Sequence, residues 1–277
     1  MIPWALDRRR FLLATAAAAA APGFASAGGA FGMSDVEAIA EARAREPHVD
    51  ALTNPSGPFA DLDHHGYRAL RYRPERRIWA GEGLGFTVEP LAPGHVFRNA
   101  VTIYVVEGGQ PRPIPFDSGA FELEGDEAAD GLAWSGARIR SSFGGPDADQ
   151  DAAIFQGASY FRAAGRNQRI GLAARAVAVG TGGPSGEEFP AFTALWLHRP
   201  DPGADTMTIH ALLEGPSLTG AYELRLRPGA ETAVEVRASL FPRLDLENVG
   251  FAPLTAMFVH GPAAPTSRED WRPAVHG

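Results

Sequence analysis

An all-β fold, a large antiparallel β-sandwich with one short N-terminal helix, is the class this sequence predicts, and three observations predict it. Short runs alternate apolar with charged residues, as in Tyr222-Glu223-Leu224-Arg225-Leu226 and Val234-Glu235-Val236-Arg237-Ala238. That period of two is the pattern of half-buried antiparallel strands. Turn formers punctuate these runs, and 32 Gly with 23 Pro is far more than a helical bundle tolerates. Helical spacing follows a start signal at only one place, near residue 34. A chain of 277 residues has ample length for a core. Its formal charge of −8 argues against nucleic acid or an anionic membrane as the main partner. With no Cys, disulfides and thiolate metal sites are excluded.

The N-terminus reads as an export signal. Asp7-Arg8-Arg9-Arg10-Phe11-Leu12-Leu13 leads into an Ala-rich apolar run ending in Ala25-Ser26-Ala27. A basic start, an apolar run too short to span a bilayer and an A-x-A site define a cleavable signal peptide. Arginines followed by Phe-Leu fit the twin-arginine pattern, whose translocon exports folded proteins. The expectation is a leader over 1–27 and a periplasmic mature chain from residue 28, with no segment left in the membrane.

In chain order, Ser34-Asp35-Val36-Glu37 has the S-x-x-E form of a capping box and opens a helix of about three turns ending before Pro47. Residues 50–66 read as loop. Tyr67–Trp79 carries Arg68, Arg71, Arg73, Arg76 and Arg77 and reads as an exposed positive edge. Strands are expected at Phe86–Pro90, Val96–Val106, Arg112–Phe116, Ala137–Ser142, Ile154–Phe161, Ile170–Val179, Phe192–Leu197, Met207–Leu213, Gly220–Leu226, Ala233–Leu240 and Leu254–Val259.

Residues 157–190 concentrate the polar side chains among turn residues. Tyr160 and Arg162, two apart on an expected strand, share a face. Arg175 follows on the next run. Gly182-Gly183-Pro184-Ser185-Gly186 then presents Glu187 and Glu188, which as neighbours on extended chain point to opposite faces. This collection suits an uncharged polar ligand such as a sugar. Pairing of one glutamate with Arg175 or Arg162, fixing the loop, is the structural alternative. Other motifs lead nowhere. Gly81-Glu82-Gly83-Leu84-Gly85-Phe86 precedes a strand and opens no helix, so no helix N-terminus is there to hold a phosphate. His64-His65 beside Asp61 and Asp63 lacks the convergence of a metal site, and Ser185 lacks the spacing of a nucleophile elbow. No metal and no cofactor is expected.

Several blocks resemble the periplasmic glucan biosynthesis proteins G and D. They are Gly157-Ala158-Ser159-Tyr160-Phe161-Arg162-Ala163, Gly171-Leu172-Ala173-Ala174-Arg175, Pro184-Ser185-Gly186-Glu187-Glu188-Phe189-Pro190, Thr219-Gly220-Ala221-Tyr222 and Ala252-Pro253-Leu254-Thr255-Ala256-Met257-Phe258. The twin-arginine leader is similar to that of the D member. The resemblance implies a sandwich of the galactose mutarotase-like kind followed by an immunoglobulin-like domain. It implies action on osmoregulated glucan with a β-1,2-linked backbone, D-type members hydrolysing it with inversion through two aspartates set well apart. Partners implied are the glucan itself and, as a candidate, the membrane glucan synthase.

Arg272-Pro273-Ala274-Val275-His276 resembles the family's R-P-x-[VL]-H, which an aspartate follows; here Gly277 ends the sequence. On that resemblance the acids and the second domain are expected further on, residues 28–277 forming an incomplete sandwich domain that binds poorly, hydrolyses nothing and is unstable at its open strand edges. Gly131-Leu132-Ala133-Trp134-Ser135-Gly136-Ala137 departs from the family's L-G-F-A-G-F block. The expected substrate-binding residues are Tyr160, Arg162, Arg175, Glu187, Glu188, Arg272 and His276, with no catalytic residue among them. A non-catalytic glucan-binding scaffold is the first rival. A mutarotase-like epimerase is the second, and it would need His210 and Glu214 to converge.

Overall fold

The computed structural model describes residues 29–123, 129, 131–143, 145, 149–171, 173–184, 186–254, 258–259 and 275–276. The leader over 1–27 lies outside them. One compact unit runs from Phe31 to Gly277.

It opens with α1 (Met33–Ala44). The expected capping box is displaced by two residues. Asp35 Oδ2 accepts from the Gly32 amide at 2.8 Å, while Glu37 accepts from Ser239 Oγ at 2.6 Å. The helix therefore starts two residues early, and Glu37 ties it to a distant strand. A second short helix, α2 (His64–Ala69), corrects the expectation of loop and of a lone helix. Asp63 caps it by accepting from the Gly66 amide at 2.7 Å, a local bond that six residues with little apolar periodicity did not advertise.

The strands follow in order: β1 (Phe86–Leu91), β2 (Thr102–Glu107), β3 (Gln110–Ile114), β4 (Gly136–Ser141), β5 (Gln150–Gln156), β6 (Tyr160–Ala163), β7 (Ala174–Arg175), β8 (Val177–Val179), β9 (Ala191–His198), β10 (Met207–Glu214), β11 (Leu218–Arg227), β12 (Ala233–Pro242), β13 (Val249–Phe251), β14 (Phe258–Val259) and β15 (Val275–His276). One sheet has the order β1-β4-β5-β6-β7 and the other β12-β11-β10-β9-β2-β3. Pairing is antiparallel except that β2 and β9 run parallel. The two inner faces meet in a continuous core that includes Val88, Ile139, Phe155 and Phe161 from the first sheet and Leu197, Ile209, Leu213 and Leu224 from the second. Helix α1 covers the outer face of the six-stranded sheet, where Thr219 Oγ1 donates to the Ala40 carbonyl at 2.7 Å.

Two expected strands divide. Ile154–Phe161 is a hairpin, because Gly157 and Ala158 both take positive φ (80° and 47°) and turn the chain between β5 and β6. Ile170–Val179 breaks at Ala176, so β7 stays in the five-stranded sheet while β8 pairs with β13. The start of Val96–Val106 is a turn closed by the Gly94 and Phe97 backbone, and strand begins at Thr102.

Candidate functional site

The outer face of the five-stranded sheet positions the candidate residues. Cross-strand pairs Glu89↔Arg138, Arg138↔Ile154, Ile154↔Arg162 and Tyr160↔Arg175 run across it, opposite to the inward row of Val88, Ile139, Ala153 and Phe161. Two charge clusters result, one at each margin.

At the β7 margin, Arg175 is 5% exposed. Its Nη1 pairs with Glu187 Oε1, and its Nη2 donates to the Glu188 carbonyl at 2.6 Å. Its guanidinium lies 4.5 Å from the Phe189 ring centroid and 5.6 Å from that of Tyr160, which is cation–π range. Thr181 Oγ1 donates to Glu187 at 2.6 Å. That hydrogen bond, then Arg175, holds the Glu187 carboxyl below its ordinary pKa, so it stays ionised and is no proton donor near neutrality. Gly180 makes the loop possible: its φ is +71°, and a Cβ there would stand 2.8 Å from the Gly186 carbonyl.

The neighbouring glutamates do point apart. Glu188 Oε1 accepts from the Ser217 amide at 3.2 Å, tying the loop to the start of β11. Tyr160 and Arg162 share the outer face, both half-buried, and the Arg162 side chain has no hydrogen-bond or ion-pair partner among the described residues. Phe189, which sequence reasoning passed over, is 53% exposed above Arg175. A large ring left facing water over a buried cation was the one signal the sequence could not carry, because exposure is a tertiary property. His276 lies in β15 opposite Phe258, and Arg272 falls outside the described residues.

At the β1 margin, Glu89 is buried and meets Arg77 Nε at 2.8 Å and Arg138 Nη1 at 3.0 Å. Arg140 contacts Asp149 and Asp151, each at 2.7 Å, and Arg77 contacts Asp149 at 2.7 Å. Three guanidiniums and three carboxylates thus neutralise one another. This corrects part of the expected positive edge over 68–77: Arg68, Arg71 and Arg76 are exposed, but Arg77 is turned into the network, Arg76 pairs with Asp117 at 2.5 Å, and Arg73 donates to the Phe121 carbonyl at 3.2 Å.

His210 and Glu214 do not converge. His210 sits beneath Phe31 between His198 (2.7 Å) and Glu223 (3.2 Å), while Glu214 accepts from Thr193 at 2.7 Å. Burial depresses the His198 pKa to about 4, with the neighbouring His210 adding to the effect. Among the described residues no group of three or more His, Asp or Glu side chains is placed to hold a metal ion, and no helix is long and apolar enough to cross a membrane.

An all-β sandwich that displays a ring-faced polar surface on one sheet is the class these features define. The family described as "Periplasmic glucan biosynthesis protein, MdoG" matches residues 31–277, and the chain belongs to that family. It is 43% identical over 251 residues to Glucans biosynthesis protein G of Rhodopseudomonas palustris strain BisA53, covering 89% of this chain and 50% of that protein. It is 36% identical over 253 residues to Glucans biosynthesis protein G of Vibrio cholerae O395, covering 90% and 46%. With the protein of the same name from Bradyrhizobium diazoefficiens it is 36% identical over 281 residues, covering 98% and 56%. The chain spans about half the length of these relatives. All three carry the G name, so they support the family and not the D-type assignment that rested on the leader.

Proposed function

We propose that this chain forms the glucan-contacting face of a periplasmic protein acting on β-1,2-linked glucan, with Tyr160, Arg162 and Phe189 as the contact surface. Arg175, Glu187 and Glu188 hold that surface in place. The observation that carries this is the exposed Phe189 ring stacked on the buried Arg175, beside Arg162, whose side chain has no partner among the described residues. A sugar ring offers a C–H face for an aromatic platform and hydroxyls for a guanidinium, and the surface supplies both. Export of the folded chain by the twin-arginine route, with removal of 1–27, is part of the same reading. So are the sandwich domain over 28–277 and a substrate-binding role for Arg272 and His276.

In this reading the hydrolytic step belongs to the whole protein, as an inverting reaction with one carboxylic acid on the leaving oxygen and one carboxylate activating water. A non-catalytic scaffold of the synthesis machinery is the second reading, favoured by the ionised, paired state of Glu187. Incubating β-1,2-glucan with this chain extended by the residues that follow in its relatives separates the two. Release of short oligosaccharides with inverted anomeric configuration supports hydrolysis; saturable binding of unaltered polymer supports the scaffold.

A further inference from the structure

A cleft at the opposite end of the sandwich holds a second set of ligand-ready groups. It measures about 590 Å³ and continues over the β1 margin into a recess of about 210 Å³, the two sharing residues 83–86. Volumes of this size are typical of small-molecule sites, roughly 300–1,000 Å³. Its walls come from both sheets: the glycine loop before β1, the end of β4 at Ser141 with the following Ser142, and the β9–β10 turn with Ala204 and Asp205.

The walls are cross-tied before any ligand arrives. Arg199, at the end of β9, pairs with Glu82 of the glycine loop. Arg166 Nη2 donates to the Phe143 carbonyl at 2.6 Å, while its amide donates to the Gly229 carbonyl at 2.8 Å. Such ties remove the ordering cost that a mobile loop would bring to binding.

The glycine loop presents backbone donors. Trp79, Gly81, Gly83 and Gly85 all have positive φ (64°, 76°, 68° and 76°), a conformation glycine adopts without strain. The amides of Gly81, Gly83 and Leu84 have no hydrogen-bond partner among the described residues. The lining also includes Ser142, Ser141, whose Oγ accepts from the Phe143 amide at 3.0 Å, and Asp205, whose carboxylate accepts from Thr206 Oγ1 at 2.8 Å. The arginines at the recess, Arg77 and Arg140, are already matched by Glu89, Asp149 and Asp151, so no surplus positive charge awaits an anion. Donors and acceptors in mixture, with Asp205 a carboxylate that has no ion-pair partner among the described residues, disfavour an anion and suit a neutral hydroxyl-rich molecule.

We infer that this cleft is a second saccharide subsite, separate from the Phe189 face. The ligand class rests on the glucan reading above, and the place does not. The test is amide chemical-shift mapping of the full chain with a β-1,2-linked glucopentaose. Expected are saturable shifts at Gly81, Gly83, Leu84, Ser142 and Ala204. Silence at all of these while Phe189 and Tyr160 respond overturns the inference and leaves the proposed function standing. Shifts here with silence at Phe189 do the reverse. Inorganic phosphate, titrated in parallel, should move none of them; phosphate shifts at the glycine amides of equal size would make the cleft an anion site and overturn the saccharide assignment. Ala204→Trp, which fills the mouth, should weaken the cleft response at least tenfold and spare that of Phe189; an unchanged cleft response with a parent-like unfolding midpoint contradicts the inference.

Discussion

The two charge clusters on the five-stranded sheet use the same residue types to opposite ends. Around Glu89, three arginines and three carboxylates close upon themselves, with no ring exposed above them among the described residues. Around Arg175, one buried guanidinium is taken up by Glu187 and a carbonyl and carries an exposed Phe189. The first cluster locks strands β1 and β4 to the loop before β5. The second holds a loop so that its aromatic side chain faces water. Charge alone therefore does not mark a site; what the charge supports does.

Breaking the first cluster should give the largest effect. Glu89→Ala removes the one buried carboxylate and leaves Arg77, Arg138 and Arg140 to share Asp149 and Asp151. It is therefore expected to cost about 3 kcal/mol, the low end for taking one partner from a buried ion pair. Urea unfolding measures it, and saccharide binding at the Phe189 face should survive in whatever fraction remains folded. Arg175→Ala is expected to cost less, about 1–3 kcal/mol, because Glu187 can turn to water once released. Here affinity for saccharide should fall along with stability, since Phe189 loses its support.

Acid separates both clusters from a third element. His198 is held neutral by burial, its pKa falling from 6.5 to about 4. The unfolded chain therefore takes up this proton at higher pH than the folded one, so the associated stability is intact above pH 6.5 and is lost as pH falls toward 4. The full shift would correspond to about 3 kcal/mol, and partial solvent access reduces it to ~1–2 kcal/mol. His198→Gln should flatten the unfolding midpoint between pH 6.5 and 4 relative to the parent. An identical slope in both would show that the histidine is not the titrating group.

Much of the sheet was legible because burial on one face imposes a period of two. Met207–Leu213 and Ala233–Leu240 were expected within two residues of β10 and β12. The shared face of Tyr160 and Arg162 and the divergence of Glu187 and Glu188 followed from the same period. The β5–β6 hairpin was hidden because Ala158 adopts a left-handed turn that its side chain does not signal. The Glu89 network was hidden because its members come from residues 77, 89, 138, 140, 149 and 151, and only the strand register brings them together. The parallel pairing of β2 with β9 joins residues 92 apart in the chain by tertiary contact alone.

Phe189→Ala is the smallest structural change and the sharpest functional one. An exposed ring contributes little to folding, within about 0.5 kcal/mol. As a stacking platform it should contribute about 1–1.5 kcal/mol to binding, a fall in affinity of roughly five- to tenfold. The direct measurement is calorimetric titration of the parent and of Phe189→Ala with β-1,2-linked glucopentaose at equal folded fraction. A five- to tenfold weaker Kd with an unchanged unfolding midpoint is the predicted result, and equal affinity in the two proteins would contradict the glucan-contacting face.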